Sequence, residues 1–165
     1  MKELSVVIPT LWKVRDITIE LLNRLEKSNF VREVILIDTS NNPPNLSHYK
    51  KLIHIKEYKN TYYCPAVNKG VSFSSSDYLA ICNDDIVLED STNQIVLQYL
   101  SDSIGMIGLL GFSDGFQFNP KTETKIIPVD HRSYAYACLY YIHKNNWIPF
   151  PSELKIFYGD DYQFK

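Results

Sequence analysis

Leu4-Ser5-Val6-Val7-Ile8-Pro9 is a short, almost entirely apolar run stopped by a proline. A strand with one wet face alternates polar and apolar residues; a run like this one fits a strand buried on both faces, as in a parallel sheet. Ile17, Leu21, Leu22 and Leu25 follow at helical spacing with charges between them. Val34-Ile35-Leu36-Ile37 repeats the buried-strand pattern and ends at Asp38, before the loop Asn41-Asn42-Pro43-Pro44-Asn45. Leu52 to Ile55 reads as a weaker third strand. Pro65 is expected at the first position of a helix running through Val67, Val71 and Phe73, where its missing N–H costs nothing. Tyr78 to Cys82 is again a buried strand, ending at Asn83-Asp84-Asp85, and Asp90 or Ser91 is suited to cap a helix carrying Ile95, Val96 and Tyr99.

Strands thus alternate with helices through the first hundred residues. This predicts βαβ units and an α/β, Rossmann-like fold with a mostly parallel central sheet flanked by helices. The second half is less regular. Ile104 to Phe112, two short strands within Gly115–Val129 around Asn119-Pro120, and Ala135 to Ile142 predict a small additional β element.

The 165 residues suit a single domain. With 45% hydrophobic and 22% charged residues the chain has too much apolar content for disorder. Its formal net charge of -2 gives no global attraction to nucleic acid or to a membrane surface. Cys64, Cys82 and Cys138 are odd in number and far apart, which argues against a disulfide framework or a zinc site and for buried thiols in a reducing compartment. No secretory signal precedes the first strand, and no apolar run approaches the ~20 residues of a spanning helix. A cytoplasmic protein is expected, unless a partner holds it at a membrane. The four histidines, His48, His54, His131 and His143, are scattered. No nucleophile elbow, Walker loop or Gly-x-Gly-x-x-Gly fingerprint is present, which disfavours hydride transfer and P-loop chemistry.

In open parallel sheets ligands bind beyond the carboxyl ends of the strands. Three strands here end in polar groups that the topology brings to one edge: Pro9-Thr10, Asp38-Thr39-Ser40 and Asn83-Asp84-Asp85. Asp38 can accept hydrogen bonds from a base or a ribose, or cap its own turn. Asp84 and Asp85 offer the oxygen ligands that a hard divalent cation wants, or form a solvated turn. Asp160 and Asp161 follow the apolar Ile156-Phe157-Tyr158; a carboxylate in such a setting can serve as a general base, or lie in a surface turn.

Five segments, taken in order, resemble the family-two inverting glycosyltransferases of the GT-A fold. Ser5-Val6-Val7-Ile8-Pro9-Thr10 is similar to that family's first strand and nucleotide loop, and Val34 to Ser40 to its second strand, whose Asp contacts the base. Asn60 to Gly70 resembles a stretch with Asn, Gly-Phe and Asn-x-Gly typical of the rhamnosyltransferase-like branch. Cys82-Asn83-Asp84-Asp85-Ile86-Val87 is similar to that branch's metal motif, with Asn in place of the first Asp. Tyr158-Gly159-Asp160-Asp161 resembles the late Glu-Asp motif that carries the catalytic base. There are departures: Tyr62 stands where the branch often has Gly, Asp160 replaces Glu, and Gln163 replaces a common Asp.

The resemblance implies a donor nucleotide lying across Pro9, Thr10, Asp38, Asn68, Lys69, Asn83 and Asp84, with Asp85 holding Mn2+ or Mg2+ against the diphosphate. It further implies that Asp161 takes the proton from an acceptor hydroxyl, with inversion at the anomeric carbon. A UDP- or dTDP-linked sugar is the expected donor, and a glycan, lipid-linked or protein hydroxyl the acceptor. Residues up to about 90 would bind the nucleotide and residues from about 91 to 165 would form the acceptor side. Family members usually continue past the point corresponding to Lys165, so the acceptor side is expected to be either truncated or naturally minimal. A nucleotide-sugar-binding module without transfer is therefore the second reading. A sugar-phosphate nucleotidyltransferase is the third, disfavoured because Thr10-Leu11-Trp12-Lys13 lacks the glycine-rich loop of that class.

Overall fold

The computed structural model describes residues 2–108, 126, 128 and 138–156. Within them the chain runs β1 (Leu4–Thr10), α1 (Arg15–Lys27), β2 (Val31–Asp38), β3 (Leu52–Lys56), α2 (Tyr63–Phe73), β4 (Tyr78–Cys82), α3 (Asp90–Tyr99), β5 (Ile107–Gly108) and β6 (Leu139–His143). Six strands form one sheet in the order β3-β2-β1-β4-β6-β5. The β1–β2, β2–β3 and β1–β4 pairs are parallel, whereas β6 runs antiparallel to β4 and to β5. The mixed, mostly parallel sheet expected from the sequence is thus present. In the second half, β6 and β5 extend this sheet beyond β4.

Apolar runs become strands here because both faces of the sheet are covered. Val6, Ile8, Val34, Leu36, Ala80 and Cys82 pack on one face with Leu21, Leu22 and Leu25 of α1 and Val96 and Leu97 of α3. Their sequence neighbours Val7, Ile35, Ile37, Leu79 and Ile81 pack on the other with Val67 and Val71 of α2 and Phe150. Each such side chain removed from water stabilises the fold by about 1.5–3 kcal/mol, so a period-2 strand needs an apolar residue at every position.

Helix α2 lies against β1 closely enough that a methyl on Gly70 would come within 2.3 Å of Val7 Cγ1. Val7 is β-branched and stiff, so it cannot swing aside cheaply. Alanine's better helix propensity returns only ~1 kcal/mol, against about 1–3 kcal/mol for overpacking. Gly70→Ala is therefore expected to lower stability by about 1–2 kcal/mol, read as a lower denaturant midpoint at unchanged slope. A midpoint equal to wild type would show that α2 can lift off β1 freely.

Local expectations differ from the structure in three places. Helix α2 begins at Tyr63, which makes Pro65 its third residue; it still lies in the first turn, where N–H groups lack helical partners. Phe73 is half-exposed and does not extend the buried stripe. Asp90 does not cap α3. Glu89 occupies the cap position without a side-chain bond, and Asp90 Oδ1 instead accepts the Ser28 hydroxyl at the end of α1. Of the strand expected over Ile104–Phe112, β5 covers Ile107–Gly108. Nearly all of the expected Gly115–Val129 pair lies outside the described residues.

Candidate functional site

β1, β2 and β4 end on the same edge of the sheet, at Thr10, Asp38 and Cys82. A cleft of about 250 Å³ opens there, near the lower end of the ~300–1,000 Å³ of small-molecule sites. Thr10 and Lys13, beyond β1, and Asp84, beyond β4, are among its lining residues. Leu11, Tyr62, Tyr63 and Ile156 give it apolar walls, and Thr39 and Asn60 add polar groups between them.

The turn after β4 is anchored at three points. Thr10 Oγ1 donates to Asp84 Oδ2 at 2.5 Å while accepting the Trp12 N–H at 2.9 Å. Thr18 Oγ1 donates to the Asp84 carbonyl at 3.0 Å, and the Asn83 N–H donates to the Cys138 carbonyl at 2.9 Å. The Thr10 hydroxyl is therefore occupied in positioning Asp84. Burial pushes the Asp84 carboxyl above the ordinary carboxylate range; the bond from Thr10 opposes this, and the charge of Asp85 adds to it. Asp85 is exposed, and its carboxylate has no protein partner among the described residues.

Among the described residues no three His, Cys, Asp or Glu side chains gather as a metal cage. Mg2+-type sites seldom need one, since they use one or two carboxylates and leave the remaining positions to phosphates and water. Asp85 and the second oxygen of Asp84 fit that requirement. Cys82, one turn earlier, is no candidate nucleophile: burial raises its thiol pKa strongly, and Asp84 and Asp85 raise it further.

Asp38 ends β2 as expected, but its side chain is 0% exposed. Its Oδ1 accepts the Ser40 N–H at 2.8 Å and Lys56 Nζ at 3.4 Å, and its Oδ2 meets His54 Nε2 at 3.0 Å. The indole N–H of Trp12 faces it without reaching full hydrogen-bond geometry. Burial alone would raise the Asp38 pKa, yet the groups of Ser40, His54 and Trp12 hold it below the usual range. This carboxylate locks β2 to β3 and presents no open face to a ligand. Thr39, one residue on, lines the cleft in its place.

Asn68 and Lys69 are likewise turned to structural use. Asn68 clamps the main chain of Phe150, donating from Nδ2 to its carbonyl at 2.8 Å and accepting its N–H on Oδ1 at 2.9 Å. Lys69 pairs with Glu57. Of the residues expected at the site, the structure brings Pro9, Thr10 and Asp84 to the cleft. Asn83 and Asp85 flank Asp84 on the same turn. Asp161 lies outside the described residues, as do Gly159 and Asp160.

Two cleft residues, Lys13 and Tyr62, were not among those expected to bind the nucleotide, although Tyr62 stood out as a departure from the resembled branch. Lys13 is exposed, lines the cleft and has no protein partner among the described residues, whereas Lys69 is paired with Glu57 and is not among the cleft's lining residues. The only signal for Lys13 is a basic residue just past the first strand. Tyr62 has φ 64 and ψ 175, a region that belongs essentially to glycine and costs about 1–3 kcal/mol for other residues. Asn60 Oδ1 accepts the Tyr62 N–H at 2.9 Å and helps to hold that backbone. Among the described residues no helix is long and apolar enough to cross a membrane.

The architecture is shared with solved glycosyltransferases. The structure of S. aureus TarS 1-349 superposes with a TM-score of 0.68 at 18% identity, covering 93% of this chain and 51% of that one. The same protein in complex with UDP gives 0.69 at 16% identity, over 98% of this chain and 54% of that one. The mannosyltransferase PcManGT from Pyrobaculum calidifontis, in complex with GDP-Man and Mn2+, gives 0.66 at 14% identity, over 92% and 48%. The chain thus spans about half the length of these relatives, and at such identities the likeness is one of fold, GT-A-like as the sequence motifs implied. No curated protein matches the sequence. With residues 5–150 matching the family's pattern, the chain belongs to glycosyl transferase family 2.

Proposed function

We propose that the protein transfers a sugar from a nucleotide-diphosphate sugar to an acceptor hydroxyl, with metal assistance and inversion. The observation that carries this reading is the convergence of strand ends on one cleft. Thr10 and Asp84 meet in it beside the exposed Asp85, and Lys13 lines the same cleft. Membership of the family supports it.

In this reading Asp84 and Asp85 hold Mn2+ or Mg2+. The bound ion would neutralise charge on the leaving diphosphate. Lys13, which lines the same cleft, is assigned to those phosphates. The Thr39 end of the cleft takes the nucleoside, displacing Asp38 from that role. Asp161 is the base toward the acceptor hydroxyl, which attacks from the face opposite the diphosphate, as bases do in inverting glycosidases. The UDP complex of TarS supports a pyrimidine donor, UDP- or dTDP-linked. The spelling Cys82-Asn83-Asp84-Asp85 supports the rhamnosyltransferase-like branch. A glycan, lipid-linked or protein hydroxyl is the acceptor, met on the cytoplasmic side.

Calorimetric titration of UDP, dTDP and GDP, each with and without Mn2+, tests the proposal. Binding of a pyrimidine diphosphate that tightens with Mn2+ is expected. A chain that binds none of the three with the metal present does not have this function.

A further inference from the structure

The strained residue Tyr62 lines the cleft, and the chain reaches it from β3, which lies beyond β2 on the side of the sheet away from β4. Asp84 follows β4 and Thr39 follows β2, with β1 between them. Two strand spacings, about 10 Å, therefore separate the two ends of the cleft along the sheet edge. A nucleoside diphosphate with its phosphates at Asp84, Asp85 and Lys13 must place its base near Thr39, Asn60 and Tyr62. Tyr62 and Tyr63 are the aromatic residues of the cleft lining.

Tyr62 is the residue of this wall whose position is paid for by backbone strain. Tyr62 is 42% exposed, so burial within the protein does not explain why the chain accepts that strain. The ring is also held from a second side. Lys155 Nζ stands 5.3 Å from its centroid, a cation–π distance. The Lys155 carbonyl in turn accepts the Cys64 N–H at 3.0 Å, which ties the segment ending at Ile156 to the head of α2. A strained backbone, a held ring and an open ring surface in a cleft together describe a stacking platform.

We propose that Tyr62 stacks on the base of the bound nucleotide and sets how tightly this chain holds its donor. The inference rests on the nucleotide reading above and adds the residue that reads the base. Base–aromatic stacking tolerates any base, because every base has a π-face. Tyr62 therefore contributes affinity for a nucleoside, while choice among bases falls to hydrogen-bonding groups such as Asn60 and the main chain at Thr39.

The test is a titration of wild type, Tyr62→Gly and Tyr62→Phe with UDP, with GDP and with inorganic pyrophosphate, all with Mn2+, alongside thermal melts. Tyr62→Gly is expected to melt higher than wild type, because glycine adopts φ 64 without strain. It is also expected to bind UDP and GDP about tenfold more weakly and pyrophosphate unchanged. Tyr62→Phe should keep wild-type affinity for all three. Unchanged UDP and GDP affinity in the folded glycine variant overturns the platform and leaves the nucleotide reading standing. An equal loss for pyrophosphate also overturns it, since the ring would then act on the phosphate end. A wild type that binds pyrophosphate but neither nucleotide refutes both readings.

Discussion

Asp85→Ala is expected to remove the metal-dependent part of nucleotide binding, weakening UDP in the presence of Mn2+ by about 10²-fold. Asp85 is the exposed member of the acidic pair, and nothing among the described residues competes for its oxygens. The fold does not depend on it, so the melting temperature should stay close to that of wild type. Asp84→Asn separates the two roles further. The raised pKa of Asp84 means that the native state binds its proton more tightly than the unfolded chain does. Its contribution to stability is then greatest below the unfolded carboxylate pKa and declines as pH rises through the folded value, so at neutral pH its charge weakens the fold. Asparagine keeps an acceptor for Thr10 and removes that charge. Asp84→Asn should therefore melt higher at neutral pH without metal, yet gain less from added Mn2+. If Mn2+ tightens UDP equally in wild type and Asp85→Ala, the metal is held elsewhere or not at all.

The strands were legible because a sheet covered on both faces writes itself as apolar runs. Val6 and Ile8 face α1 and α3 while Val7 faces α2, and no polar residue is needed among them. The head of α2 was legible only to within its first turn, since Pro65 is tolerated at any of the first positions. The cap of α3 was misread for a tertiary reason. Asp90 has the right chemistry, but Ser28, 62 residues away in sequence, takes its carboxylate.

The site divides in the same way. That strand ends would converge follows from topology, and Thr10 and Asp84 meet there. Which side chains stay open depends on long-range pairing that no local pattern reports. The β2–β3 register sets Lys56 beside Asp38, and His54 comes within 3.0 Å of the same carboxylate. Asn68 is consumed by Phe150, 82 residues on. Tyr62 adopts a glycine conformation, and its marker in the sequence is that it stands where the resembled branch often has Gly.

Asp161→Asn is expected to lower sugar transfer by about 10²-fold or more while UDP affinity holds. The attacking hydroxyl is a poor nucleophile until a base begins to take its proton, and an amide of the same shape cannot do so. In the wild type the low-pH side of the kcat/KM profile should fall as this carboxylate becomes protonated; in the asparagine variant that limb should vanish along with the rate. Asp160→Asn is the matched control. It neutralises the neighbouring carboxylate without removing the proposed base, so it should cost much less and keep the acidic limb. If both variants lose rate equally and keep the limb, the pair shapes the acceptor side and the base lies elsewhere. If Asp161→Asn transfers sugar as fast as wild type, Asp161 has no part in proton removal. The donor site at Asp84 and Asp85 would be untouched by either result, because it is measured by nucleotide binding and not by turnover.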